Sequence, residues 1–170
     1  MIFGDQKILA IEIEPTFQNG KYFYGRCFAY AAGQRIGYAD EIVVLDIAES
    51  RLNRSLNYVG HRAIPVNTND MERLWSVLNA NVWGVPENWE DFPERYGQIP
   101  APHRFSVLDS DSFDGVVCFL VEKDDSDLFL WKEHDGDGVI HHVVLPLGYY
   151  QHLIEDVLKA PWKEGELPQS

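Results

Sequence analysis

Residues 7–14, KILAIEIE, place Ile8, Ala10, Glu12 and Glu14 on one parity of an alternating run, which predicts a strand that Pro15 closes. Asn19-Gly20 is a tight-turn pair, and the aromatic run Lys21–Ala32 behind it predicts a long second strand. Gly33-Gln34 turns the chain into Arg35–Tyr38, with a short further strand at Glu41–Val44, so the opening of the chain predicts an antiparallel meander. The period then changes to that of a helix. Leu45, Ala48, Leu52, Leu56 and Val59 share one face, Asp46 stands as the N-cap with Glu49 completing a capping box, and Gly60 is the stop. Met71, Leu74, Trp75, Leu78 and Val82 predict a second helix from near Asn69 to Gly84.

From Val85 to His103 the pattern dissolves. Pro86, Pro93, Pro100 and Pro102, with Trp89, Phe92 and Tyr96, predict a long loop packed by its own side chains. Strands resume at Arg104–Leu108, Gly115–Glu122, Asp127–Glu133 and Val139–Leu145, with turns at Asp124-Asp125-Ser126 and at Asp135-Gly136-Asp137-Gly138. A last helix, Leu147–Lys159, carries Leu147, Tyr150, Ile154, Val157 and Leu158 on one side and stops at Pro161, and residues 163–170 read as a flexible tail. Strands followed by helices, twice over, predict an α+β fold. We expect one domain spanning 1–170, built on an antiparallel sheet of about six to seven strands with about three helices packed against it.

Size and composition agree with that picture. A chain of 170 residues with 45% apolar and 13% aromatic content buries a core without covalent staples. Cys27 and Cys118, each in an apolar strand-like run, read as small buried hydrophobes rather than a disulfide or a nucleophile. Met1–Asp5 lacks the basic and apolar regions of a signal peptide, and no apolar run approaches the ~18 residues of a membrane span. The expected location is the cytoplasm.

Charge adds the first functional pointer. The formal net charge is −13 and the isoelectric point about 4.7, which argues against nucleic acid or an anionic membrane as partner. Most of the excess is local. Asp109, Asp111, Asp114, Glu122, Asp124, Asp125, Asp127, Glu133, Asp135 and Asp137 face only Lys123 and Lys132, a net −8 within that stretch. Apolar runs at Val116–Val121 and Leu128–Trp131 interleave these acids, so the stretch is folded rather than a solvated acidic tail. A rigid acidic surface suits a basic protein partner, with Trp131 and Trp89 as candidate aromatic anchors. The competing reading leaves the acids to solubility and gives the contact to the Val85–His103 loop.

Candidate chemistry is sparse. Asp135-Gly136-Asp137-Gly138, between His134 and the pair His141-His142, is the most metal-like segment. A calcium loop needs glycine at its sixth position, where counting from Asp135 gives Ile140, so the stretch reads as an Asp-Gly hairpin. Adjacent histidines on a strand point to opposite faces. With no G-x-S-x-G, Walker A or G-x-G-x-x-G motif, no catalytic residue, metal or cofactor is assigned, and the chain does not read as an enzyme. The rival is a small metal- or ligand-dependent enzyme using the His134–His142 region. Arg26 lies among Tyr22, Tyr24, Phe28 and Tyr30 on one strand face and needs a carboxylate if buried. Asp40 is the assigned partner in a structural ion pair, with Glu12 and Glu14 as alternatives, and an anion-binding arginine as the functional reading.

Several of these segments together carry a likeness. Met1-Ile2-Phe3-Gly4-Asp5, the Ala10–Glu14 strand, Tyr24-Gly25-Arg26-Cys27-Phe28-Ala29-Tyr30 and Gly33-Gln34-Arg35-Ile36-Gly37-Tyr38-Ala39-Asp40-Glu41 resemble the opening of the immunity protein 42 family. That family belongs to bacterial polymorphic toxin and contact-dependent growth inhibition systems. The likeness runs from Met1 to the end of the first predicted helix. It departs from the family pattern at Ala31-Ala32, where an aromatic is expected after Tyr30, and at Gly37-Tyr38-Ala39-Asp40, where Gly-Asp is expected after Ile36. The resemblance implies a small cytoplasmic inhibitor, without catalysis, that binds the C-terminal toxin domain of a delivered effector. Many such toxins are nucleases with basic active sites, which an acidic face would block.

Overall fold

A computed structural model describes residues 1–38, 40–64, 69–83, 115–133, 138–161, 163 and 168. Strand β2 (Leu9–Asn19) buries Leu9, Ile11 and Ile13 and turns Glu12 and Glu14 outward. It pairs antiparallel with β3 (Tyr22–Ala31), whose Cys27, Ala29 and Ala31 join the same core. Pro15 does not end the strand as predicted. A register shift between Pro15 and Phe17 absorbs it, opposite Gly25. A Cβ at Gly25 would lie 2.2 Å from the Glu14 carbonyl oxygen, so only glycine lets the partner backbone approach here.

On the far side β2 gains an unpredicted partner, β1 (Ile2–Asp5), tied further by the Met1 ammonium donating to the Ile13 carbonyl at 2.7 Å. The short β4 (Gln34–Ile36) and β5 (Val43–Val44) both pair with β3 and complete a five-stranded antiparallel sheet.

Helix α1 (Leu45–Leu56) buries Leu45, Ala48, Leu52 and Ser55 against that sheet. Its N-cap is Val44, not Asp46. Asp46 sits inside the first turn, where its Oδ2 accepts the Phe23 N–H at 2.7 Å, and Lys163 binds both Asp46, at 3.0 Å, and Glu49. The predicted capping-box carboxylates thus serve tertiary donors instead of the helix end. Where the sequence reads as a loose tail, Lys163 is tethered in this way, and the Pro168 carbonyl accepts the Gln18 N–H at 3.0 Å. In α2 (Met71–Trp83) the cap is Asp70, whose Oδ1 accepts the Arg73 N–H at 3.0 Å, and Leu74, Val77, Leu78 and Ala80 are buried.

Strands β6 (Val116–Glu122), β7 (Ser126–Glu133) and β8 (His141–Pro146) form a second antiparallel sheet in sequential order, followed by α3 (Tyr149–Lys159). Cys118, Leu120, Phe129, Trp131 and Leu145 face the core shared with the first sheet, α1 and α3. Val117, Phe119, Val121, Leu128 and Leu130 face Ile64 and α2. Burial on both faces explains why these strands are unbroken apolar runs, whereas β2 alternates. The described fold is α+β, with eight strands and three helices. The strands divide into two sheets rather than the single one expected, because the doubly apolar strands need a cover on each side. The predicted Arg104–Leu108 strand and the Val85–His103 loop lie outside the described residues.

Candidate partner-binding site

The β6–β7 hairpin runs in register from Val116 opposite Glu133 to Glu122 opposite Asp127. Six residue steps at about 3.4 Å put its two ends about 20 Å apart. The described acids of the hairpin therefore do not form one continuous face. Glu122, Asp124, Asp125 and Asp127 cluster at the turn, and exposed Glu133 stands at the other end, beside a cleft of about 280 Å³ lined by Arg35, Gly37, Tyr38, Gly115 and Val116. Asp109, Asp111, Asp114, Asp135, Asp137 and Trp89 lie outside the described residues.

At the turn, the Lys123 N–H donates to the Ser126 carbonyl at 2.9 Å, and the Ser126 hydroxyl donates to Asp125 Oδ1 at 2.9 Å. Asp124 and Asp125 are exposed. Glu122 is engaged internally: it accepts the Gly60 and Arg62 N–H groups at 3.0 and 3.1 Å and pairs with Arg62 Nη1 at 3.2 Å. Arg62 is only 2% exposed. Its Nη2 donates to the Ser55 carbonyl at 2.6 Å and its guanidinium lies 5.2 Å over the Tyr150 ring. Tyr150 in turn shares a 2.8 Å hydrogen bond with the Ser55 hydroxyl. Burial pushes the Tyr150 phenol up, against the pull of the Ser55 hydrogen bond and Arg62.

Asp127 is the remaining acid, and it is 6% exposed. Among the described residues no donor or cation bonds its carboxylate. Burial raises its pKa, the Glu122 charge raises it further, and Arg62 opposes both. Asp127, Glu122, Lys123 and Arg62 line an open cleft of about 350 Å³ together with Val59 and Gly60 beyond α1, and Leu147, Gly148, Tyr150 and Gln151 at the start of α3. Val59 and Leu147, both predicted on helix faces, fall outside their helices and are 41% and 65% exposed.

Three other sequence assignments change. Trp131, a candidate surface anchor, is 2% exposed and stacks on His141 at 5.2 Å, because its strand parity points it into the shared core. Asp127 is buried rather than a rim charge. Arg26 pairs with Glu14, directly opposite in the ladder at 3.1 Å, rather than with Asp40, and both partners are substantially exposed on the outer sheet face. Cys27 and Cys118 are free and buried, and burial pushes the Cys27 thiol up to about 12. His141 and His142 lie on β8, with His134 outside the described residues. Sequence reasoning missed Arg62 and Tyr150 as partners. Arg62 follows the Gly60 helix stop with no periodic context, so no local signal marks it as buried.

This architecture is also that of CdiI from Burkholderia dolosa AUO158. Its crystal structure matches with a TM-score of 0.69 at 18% identity, over 93% of this chain and 98% of that one, a likeness of fold. The sequence goes further: it matches the family model of immunity protein 42 over residues 1–160, and the chain belongs to that family. No curated protein matches it in sequence. The protein is thus an immunity protein by family, and no described helix is long and apolar enough to cross a membrane.

Proposed function

We propose that the protein binds a cognate toxin domain in the cytoplasm of the producing cell and neutralises it without catalysis, metal or cofactor of its own. The toxin is a basic protein, a nuclease by preference, since a site that holds phosphates attracts carboxylates. One geometric observation carries the assignment of the surface. Exposed Asp124 and Asp125 sit at the tip of a hairpin buried on both faces, so their charge is held on a rigid stub. Such placement favours fast, steered association, whereas desolvated contacts set the dissociation rate.

The test is capture of the cognate toxin domain, followed by rate measurements across salt concentrations. Asp124→Asn with Asp125→Asn should slow association about tenfold at low salt and flatten its salt dependence. Exposed turn carboxylates contribute about 0–1 kcal/mol to folding, so stability should hardly move. Equal association rates for variant and parent at low salt would return the contact to the Val85–His103 loop.

A further inference from the structure

The cleft beside the hairpin turn has the chemistry of a receptor for a single cation. Its lining holds two positive groups, Arg62 and Lys123, and two acids, Glu122 and Asp127, and the exposed Asp124 and Asp125 follow Lys123 in the turn beside it. Arg62 and Glu122 pair with each other, and Glu122 also accepts two backbone N–H groups, so both are already engaged within the protein. Asp127 is left over. It is more than nine-tenths buried as a residue, its carboxylate reaches solvent only through the cleft that it lines, and among the described residues it meets no donor. A carboxylate that is largely desolvated and without a protein partner gains from a cation that enters beside it. The walls suit a long basic side chain as well. Val59 and Leu147 leave apolar surface exposed at the cleft, which the methylene stem of lysine or arginine would cover while its head reaches the acid.

Resting on the toxin-binding reading, we infer that this cleft receives a lysine or arginine side chain of the protein partner, with Asp127 accepting its charged head. Inorganic anions are disfavoured there because they would meet the same unpaired carboxylate. The occupant is desolvated, so it governs how long the complex lasts, whereas the exposed Asp124 and Asp125 govern how fast it forms.

The experiment has two arms. In the first, isotopically labelled parent protein is titrated with acetyl-arginine amide, acetyl-lysine amide, the neutral acetyl-citrulline amide and inorganic phosphate. The amide resonances of Gly60, Lys123, Gly148 and Gln151 are followed. Saturable shifts at millimolar concentration with the two cations, absent with citrulline and phosphate and lost in Asp127→Asn, are the expected result. Equal shifts with citrulline, or shifts with phosphate in place of the cations, overturn it. In the second arm, Asp127→Asn should weaken capture of the cognate toxin domain about tenfold, mainly by faster dissociation. A parent and Asp127→Asn that hold the toxin domain equally sink the cleft assignment and leave the immunity reading intact. A parent that seats the arginine amide but captures no toxin domain supports the cleft's chemistry and sinks the toxin reading.

Discussion

In the β2–β3 hairpin the charged side chains stand mid-strand, and in the β6–β7 hairpin they are confined to the ends. The first sheet has one open face, where Glu14 takes Arg26 at 3.1 Å and the Tyr30 hydroxyl donates to Glu12 at 3.0 Å. The second is covered on both sides, and Val117–Val121 and Leu128–Trp131 are all buried. Charge is pushed out to the turn, where Asp124 and Asp125 are solvated and Asp127 is trapped beside Arg62 and Glu122. Mid-strand charge on an open face is cheap to keep and cheap to remove. Charge at the end of a doubly covered hairpin is either presented on a rigid mount or buried at a cost that a partner can offset.

That contrast breaks most sharply in the core of the second sheet. Phe119 is fully buried and meets the Trp75 ring edge-on at 4.9 Å, so Phe119→Ala should cost about 3–5 kcal/mol, read from the denaturation midpoint. A cost below about 1 kcal/mol would mean that α2 does not cover this face tightly. Arg62→Met keeps the apolar stem and removes the guanidinium from Glu122 and the Ser55 carbonyl. Because Glu122 keeps 18% of its side chain exposed, the loss should fall near the low end for a broken buried pair, about 3 kcal/mol.

The third effect has the opposite sign. The Asp127 pKa is raised in the folded protein by burial and by Glu122, against Arg62. The folded state therefore prefers the protonated acid. Relative stability from this group is fully present below the ordinary carboxylate value of 3.8 and is lost as pH rises through the folded value. Asp127→Asn mimics the neutral form, so it should raise the unfolding temperature at neutral pH, and the gain should vanish on acidification. A variant that is destabilised at neutral pH would show that the carboxylate has a cationic or donor partner in the free protein.

The smallest effect belongs to the open face. Arg26 and Glu14 keep 38% and 51% of their side chains exposed, and the buried Arg26 Nε has no hydrogen-bond partner among the described residues, so Arg26→Ala should change stability by about 0–1 kcal/mol. A loss of about 3–5 kcal/mol would mark it as the buried structural cation that its aromatic neighbours suggest.

Much of the fold is legible in the residue pattern alone. Periodicity marks the first half of β2, and β3, β6, β7 and the three helices to within a few residues, and Asn19-Gly20 and Asp124-Asp125 mark the two hairpin turns. The unbroken apolar run around Cys118 also marks burial, since no polar parity interrupts it. Those features depend on neighbours a few residues away. The candidate site is less legible. The acidic turn is visible as composition, but Val59 and Arg62, and Leu147 and Tyr150, come to it from two other parts of the chain.

The sequence by itself determined the α+β class, the two long hairpins, the acidic turn and, through its resemblance, the immunity family. The tertiary structure decided the rest: two sheets instead of one, a bulge at Pro15, Phe23 and Lys163 as the partners of Asp46, Trp131 turned inward, and Glu14 as the partner of Arg26. The physical reason is that a period states which residues share a face but not what will cover it. A carboxylate takes whichever donor the packed chain brings near, as Glu122 takes Arg62 from sixty residues away and Asp127, beside it, takes none among the described residues.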